Sequence, residues 1–192
     1  MKTLFVNACV REESRTLEIA RYLLEKLGEG YEEVDLGKEK IEALDRERLQ
    51  KRSGLAMKGD FSDEIFRYAR QFREAECIVI AAPYWDLSFP AKLKEYLENI
   101  CVVGLTFDYV CDDVTRSLSK AKRLIYVMTA GGTVVSHELS FGYVRTMMHE
   151  FFHIDDFKYI YAEKLDLYGA DPGELVAKAK KEVDEYTDSL KL

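Results

Sequence analysis

The sequence predicts an α/β protein: a doubly wound, five-stranded parallel sheet in the order 2-1-3-4-5, with helices on both faces. Three observations carry this expectation. Four short apolar runs are rich in β-branched and aromatic residues and mostly continuous, as strands covered on both faces are. Segments of helical periodicity lie between them, which implies right-handed βαβ crossovers. The 192 residues suffice for one such domain, spanning 1–192, and show no linker, repeat or low-complexity segment.

Each element has its own signal. The first strand is Thr3–Ala8. The helix Thr16–Leu27 follows, with Leu17, Ala20, Leu23, Leu24 and Leu27 along one face and Gly28 as its stop. Tyr31–Leu36 alternates and suits a strand nearer the sheet edge, and Gly37–Lys58 is polar and weakly patterned, an excursion with some helix packed over one edge. Asp63–Ala75 carries Ile65, Phe66, Ala69 and Phe72 at helical spacing before the strand Cys77–Ala82. Pro90 opens the helix Ala91–Val103, as a first-turn proline does, and its apolar positions include Leu93, Leu97, Ile100 and Cys101. The strand Leu124–Thr129, the helix Phe141–Phe152, the strand Phe157–Ala162 and the helix Glu174–Leu190 complete the set.

Composition narrows the function. The net charge of -7, with dispersed basic residues, argues against nucleic acid or an anionic membrane as partner. A phosphate ligand would need a local nest of backbone N–H groups. The apolar stretch Leu4–Val10 is broken by Asn7 and followed by Arg11, Glu12 and Glu13, which is not a signal-peptide pattern, and no run approaches the ~18 apolar residues of a membrane span. A cytoplasmic location is expected. Cys9, Cys77, Cys101 and Cys111 form no CxxC pair or zinc spacing and read as reduced thiols.

In doubly wound sheets, ligands bind beyond the carboxyl ends of the strands at the point where strand order reverses. Three loops fall there. In the first, after strand 1, Ser14 and Thr16 offer hydroxyls to a phosphate, the following helix offers free N–H groups and a positive dipole end, and Arg11 and Arg15 offer charge. The alternative makes Ser14 only a helix cap and the arginines solvated. The loop holds neither GxGxxG nor GxxxxGK[ST], so it is not a dinucleotide or nucleotide-triphosphate fingerprint. The second loop, Pro83-Tyr84-Trp85-Asp86-Leu87, contains the only tryptophan and suits a flat ring, or else covers the core. The third, Thr129-Ala130-Gly131-Gly132, has paired glycines that permit close approach to a ligand, or serve an ordinary turn.

The order and spacing of these pieces carry a resemblance. Ser14-x-Thr16, Pro83-Tyr84-Trp85-Asp86 with Leu93-Lys94-x-Tyr96-Leu97, Gly104-x-Thr106-Phe107, Thr129-Ala130-Gly131-Gly132, and Tyr161-Ala162-Glu163 with Tyr168-Gly169 run over nearly the whole chain. It resembles the FMN-dependent NADH-azoreductases and NAD(P)H:quinone oxidoreductases of the flavodoxin-like fold. The resemblance implies non-covalent FMN, with Ser14, Arg15 and Thr16 at its phosphate and Pro83, Tyr84, Trp85, Asp86 and Leu87 along its ring and ribityl chain. Thr129, Gly131 and Gly132 would meet the ring's polar edge, with Ala130 between them where azoreductases usually carry Arg. Asp86 stands where Asn is common, and an acidic group there would disfavour anionic reduced flavin. Phe107 would line the substrate side from a partner subunit in a homodimer that Ala91–Val103 helps to form. The implied reaction is ping-pong hydride transfer through flavin N5 from NADH or NADPH to a quinone, azo compound or similar small flat acceptor.

Two further features stand beside that reading. His137, just past the glycines, could reach the flavin and stabilise its reduced charge, or serve as a capping or surface histidine. His149-Glu150-Phe151-Phe152-His153 matches HExxH, whose histidines on one helical face would bind zinc with Glu150 as base. That helix runs almost directly into a strand with no supporting third-ligand motif, so the match reads as coincidental and no metal is expected. The alternatives are a flavin reductase, a flavodoxin-type electron carrier and, more remotely, a zinc hydrolase.

Overall fold

The computed structural model describes residues 1–28 and 30–190. In chain order its elements are β1 (Thr3–Asn7), α1 (Arg15–Leu27), β2 (Tyr31–Asp35), α2 (Arg46–Ala56), α3 (Arg67–Glu74), β3 (Cys77–Ala81), α4 (Ala91–Ile100), β4 (Phe107–Cys111), β5 (Val114–Ser117), β6 (Arg123–Thr129), α5 (Tyr143–Phe152), β7 (Asp156–Ala162) and α6 (Pro172–Ser189). The main sheet runs β2-β1-β3-β6-β7 and every pairing in it is parallel. With the β4–β5 hairpin set aside, this is the 2-1-3-4-5 order expected from the sequence.

Side-chain alternation along the strands divides the core in two. Leu4 and Val6, Ile78 and Ile80, and Leu124 and Tyr126 face a cluster with Phe72 of α3, Leu93 and Tyr96 of α4, and Met148 and Phe152 of α5. Phe5, Val79, Ile125 and Val127 face the other way, onto Ile19 and Leu23 of α1 and Val176 and Val183 of α6. Both faces are therefore sealed, which explains why the central strands read as continuous apolar runs. Full burial of each such side chain contributes roughly 1.5–3 kcal/mol. β2 sits at the sheet edge, and Val34 is the one residue of it that is fully buried.

Helix ends follow local chemistry. Ser14 caps α1 by accepting from Leu17 N, and Gly28, at φ 69°, ends it by donating to Glu25 O and Leu24 O. The buried stripe of α1 comprises Thr16, Ile19, Ala20, Leu23 and Leu24. Leu17 and Leu27 lie at its margin, partly buried. The excursion after β2 does contain a helix, α2, which buries none of its residues but ties to α4 through Arg52 to Glu98 O and, just before it, Glu42 O to Asn99. The expected helix Phe141–Phe152 begins instead at Tyr143, behind a π-helical turn over Glu138–Gly142. The antiparallel β4–β5 hairpin had no counterpart in the sequence reading. Its turn rests on Asp113 at φ 50°.

Candidate active site

A cleft of about 760 Å³ opens where β1 and β3 diverge in connection, at the carboxyl ends of β1, β3 and β6. Its walls come from Cys9–Arg15 after β1, the start of α1, Pro83–Trp85 after β3, and Thr129 and Gly131 after β6. The size is that of a site for an organic ligand of moderate size. The sheet topology places these loops together, since each is the exit of a strand in the parallel core.

The loops are also tied to each other. The Thr16 and Thr129 hydroxyls lie 2.6 Å apart, one donating to the other, with Thr16 fully buried at the base of the cleft. Such a pair uses one of its two protons internally and leaves the other to donate to a further oxygen. Ser14 Oγ accepts from Leu17 N at 3.3 Å, so its own proton is likewise available to a ligand. Capping and ligand donation are thus compatible roles for one hydroxyl. Tyr84 N donates to Thr129 O at 2.9 Å, joining the second loop to the third.

Cys9 lines the same cleft. Its thiol donates to Ala81 O at 3.7 Å, and burial pushes its pKa up to about 11, a rise that hydrogen bonding to Ser14 partly opposes. Burial likewise pushes Cys101 up to about 12. Both side chains therefore remain thiols at neutral pH, and neither is an activated nucleophile.

The sequence-predicted residues divide into two groups. Arg11, Ser14, Arg15, Thr16, Pro83, Tyr84, Trp85, Thr129 and Gly131 are brought to the cleft wall. The others stand apart from it. Asp86 and Leu87 form the exposed tip of a tight turn in which Trp85 and Ser88 exchange backbone hydrogen bonds at 2.9 and 2.8 Å, with both tip residues at positive φ (49° and 69°). Ala130 is buried against the core, and Gly132 has open space where a side chain would be. Phe107 is buried among Tyr109, Phe151 and Phe152.

His137 is half-buried beside the cleft, not in its wall. Its Nδ1 lies 2.9 Å from Tyr159 OH and its ring meets Tyr161 edge-on at 5.0 Å. The HExxH match does not give a shared helical face. His153 is the left-handed cap of α5 (φ 53°), and its Nε2 is 3.0 Å from Thr115 Oγ1. His149 Nδ1 is 2.8 Å from Asp155 Oδ1. The helix ends between the two histidines and they are committed to different partners. Both are exposed, whereas Phe152 packs inward. Among the described residues, no group of three or more His, Cys, Asp or Glu is arranged to hold a metal ion.

Sequence reasoning overlooked a fourth wall. Leu165 and Asp166, after β7, complete the cleft. Lys164 N, Leu165 N and Asp166 N donate to Gly132 O, Ala130 O and Gly131 O at 2.9, 3.2 and 2.9 Å, zipping this loop onto the glycine loop. A Cβ on Gly131 would collide with the Asp166 carboxylate. A side chain at 131 would therefore displace the Asp166 carboxylate. The signal was available, because the strand-exit rule applies to the fifth strand of the sheet as well.

The chain as a whole is similar to known proteins. The family model described as "Flavodoxin-like fold" matches residues 1–187. An "FMN-dependent NADH:quinone oxidoreductase 2" of Clostridium acetobutylicum is 35% identical, covering 96% of this chain and 99% of that one. An "FMN-dependent NADH:quinone oxidoreductase" of Coprothermobacter proteolyticus is 33% identical, covering 96% of each. Among solved structures, an FMN-dependent NADH-azoreductase from Bacillus anthracis, in complex with FMN, superposes with a TM-score of 0.81 at 23% identity, covering 99% of both chains.

Proposed function

The chain belongs to the flavodoxin-like-fold family that includes the FMN-dependent NADH:quinone oxidoreductases, and on that footing we propose that it is itself an FMN-dependent oxidoreductase passing two electrons from NADH to quinones or similar flat acceptors. The observation that carries the reading is the cleft at the strand exits, lined by both donor hydroxyls and aromatic side chains.

The residues fit the cofactor. The Ser14 and Thr16 hydroxyls and the first-turn N–H groups of the 13-residue α1 hold the phosphate, aided by the helix dipole. Arg15 and Arg11 offset its charge, which matters in a chain of net charge -7. Pro83, Tyr84 and Trp85 border the ring, Trp85 with 37% of its surface still exposed for contact. Thr129, beside Thr16, and Gly131 line the same cleft and would contact the bound cofactor there. When bound, FMN supplies the two-electron chemistry, and the protein supplies position and electrostatics. His137 is oriented by Tyr159, whose hydroxyl lies 2.9 Å from its Nδ1. No side chain of the cleft wall is required as a proton donor.

The reading includes a homodimer. Val103, Tyr109, Val110, Val114 and Tyr143 leave apolar surface exposed around a groove of about 780 Å³ between α4, α5 and the hairpin. Phe107 is packed under that surface, so Tyr109 and Val110 are the apolar residues of β4 available to a second copy.

Steady-state kinetics with NADH and a soluble quinone test the activity. Parallel double-reciprocal lines are expected, together with sedimentation at twice the 22.2 kDa chain mass. Intersecting lines with loss of flavin into solution would favour a flavin reductase, and absence of turnover an electron carrier. A species of single chain mass would remove the dimer.

A further inference from the structure

The cleft holds more charge than its ligand reading uses. Of its three arginines, Arg21 is bound to both carboxylate oxygens of Glu33 at 2.8 Å. Among the described residues Arg11 has no ion pair, and Arg15 donates through Nη1 to Asp166 Oδ1 at 2.7 Å. The Arg15–Asp166 contact joins residues 151 apart in sequence and closes one end of the cleft, since both side chains are part of its wall. Glu18, on the same helix turn, is engaged elsewhere, by Lys180 at 2.7 Å. Among the described residues, Asp166 is thus the one carboxylate in ion-pair contact with Arg15.

From this we infer that Asp166 is a specificity-determining residue: it competes with the cofactor's phosphate for Arg15 and sets how strongly the site prefers a phosphorylated flavin over an unphosphorylated one. The inference rests on the FMN reading above. Three observations support it. Arg15 lines the same cleft as Ser14 and Thr16, the proposed phosphate ligands, so an anion held there competes with Asp166 for its guanidinium. The carboxylate's place is built, not incidental, because three backbone hydrogen bonds fix its loop and Gly131 leaves the room it fills. The pair is also easily exchanged. Its side chains are 40% and 66% exposed, and ion pairs of that kind hold weakly, while a phosphate offers more charge and bidentate geometry. Asp166 keeps Arg15 aimed along the cleft without a ligand, then yields it and remains as a nearby negative charge that weakens phosphate binding.

Titration of FMN and of riboflavin, followed by quenching of flavin fluorescence, tests this. Asp166→Asn is expected to tighten FMN about tenfold and to leave riboflavin within twofold. Arg15→Ala is expected to weaken FMN and spare riboflavin, and in that background Asp166→Asn should recover little of its gain. Asp166→Ser, a second neutral variant, should reproduce the asparagine result. Unchanged or weaker FMN binding in both Asp166 variants, with riboflavin binding intact, would overturn the inference and leave the FMN reading standing. Wild-type protein that takes up neither flavin would remove both.

Discussion

The double substitution Ser14→Gly with Thr16→Val is expected to weaken FMN binding by about 100-fold to 10,000-fold while the protein stays folded. The magnitude follows from two hydrogen bonds to a charged phosphate, each worth about 1.5–3 kcal/mol, at roughly 1.4 kcal/mol per tenfold. The choice of substitutions keeps the local structure. Glycine at a helix N-cap costs only a few tenths of a kcal/mol, because the cap conformation survives without the side chain. Valine matches threonine in shape, but it leaves the Thr129 hydroxyl, only 8% exposed, without its 2.6 Å partner. An unpartnered buried hydroxyl costs about 1–3 kcal/mol of stability, so the variant should melt earlier yet cooperatively. Fluorescence titration with FMN and riboflavin separates the two effects. Loss confined to FMN supports the phosphate assignment. Equal loss of both flavins would mean that the cleft itself had deformed.

Phe152→Ala should produce the largest loss of stability among single core changes, about 3–5 kcal/mol. Phe152 is 1% exposed and joins three elements at once. Its ring meets Phe72 of α3 at 4.6 Å, Phe107 of β4 at 6.2 Å and Phe151 beside it on α5 at 6.3 Å. Truncation leaves a void that neighbours on three separate elements cannot collapse into together. Urea denaturation monitored by Trp85 fluorescence measures the change. Because Phe152 lies on the far side of the sheet from α1 and α6, FMN affinity of the folded fraction should be unaltered. A cost under about 1 kcal/mol would show that the aromatic cluster repacks freely and does not anchor the hairpin.

Much of this was legible in the residues. Sealed strands announce themselves: β1, β3 and β6, buried almost throughout, read as mostly continuous apolar runs, while the edge strand β7 is marked by its aromatic and β-branched residues around Lys158. The alternation of Tyr31–Asp35 placed β2 near an edge for the converse reason, since only part of it is covered. The hairpin was illegible because Asp108, Asp112, Asp113 and Arg116 stand among its apolar residues and most of it is exposed, so no buried face imposes a period. HExxH, read as coincidental, shows that a motif reports spacing and not where a helix ends. The left-handed backbone of His153 ends it there.

The site shows the same division. Hydroxyls and helix starts can be read locally, and the loop carrying Ser14 and Thr16 does line the cleft. Asp86 and Leu87 were drawn into the same expectation by adjacency, but two successive positive φ values turn the chain away after Trp85. Asp166 was missed because its contact to Arg15 exists only after β1 and β7, at different positions in the sheet, bring their exits together across 151 residues.

The most direct test of the central claim is an absorbance titration of the FMN-loaded protein under anaerobic conditions. Bound flavin absorbing near ~450 nm should bleach on addition of one equivalent of NADH and return on addition of quinone, without flavin passing through a filter that retains the protein. A protein that takes up no FMN, or whose bound flavin stays oxidised with excess NADH, would contradict the account.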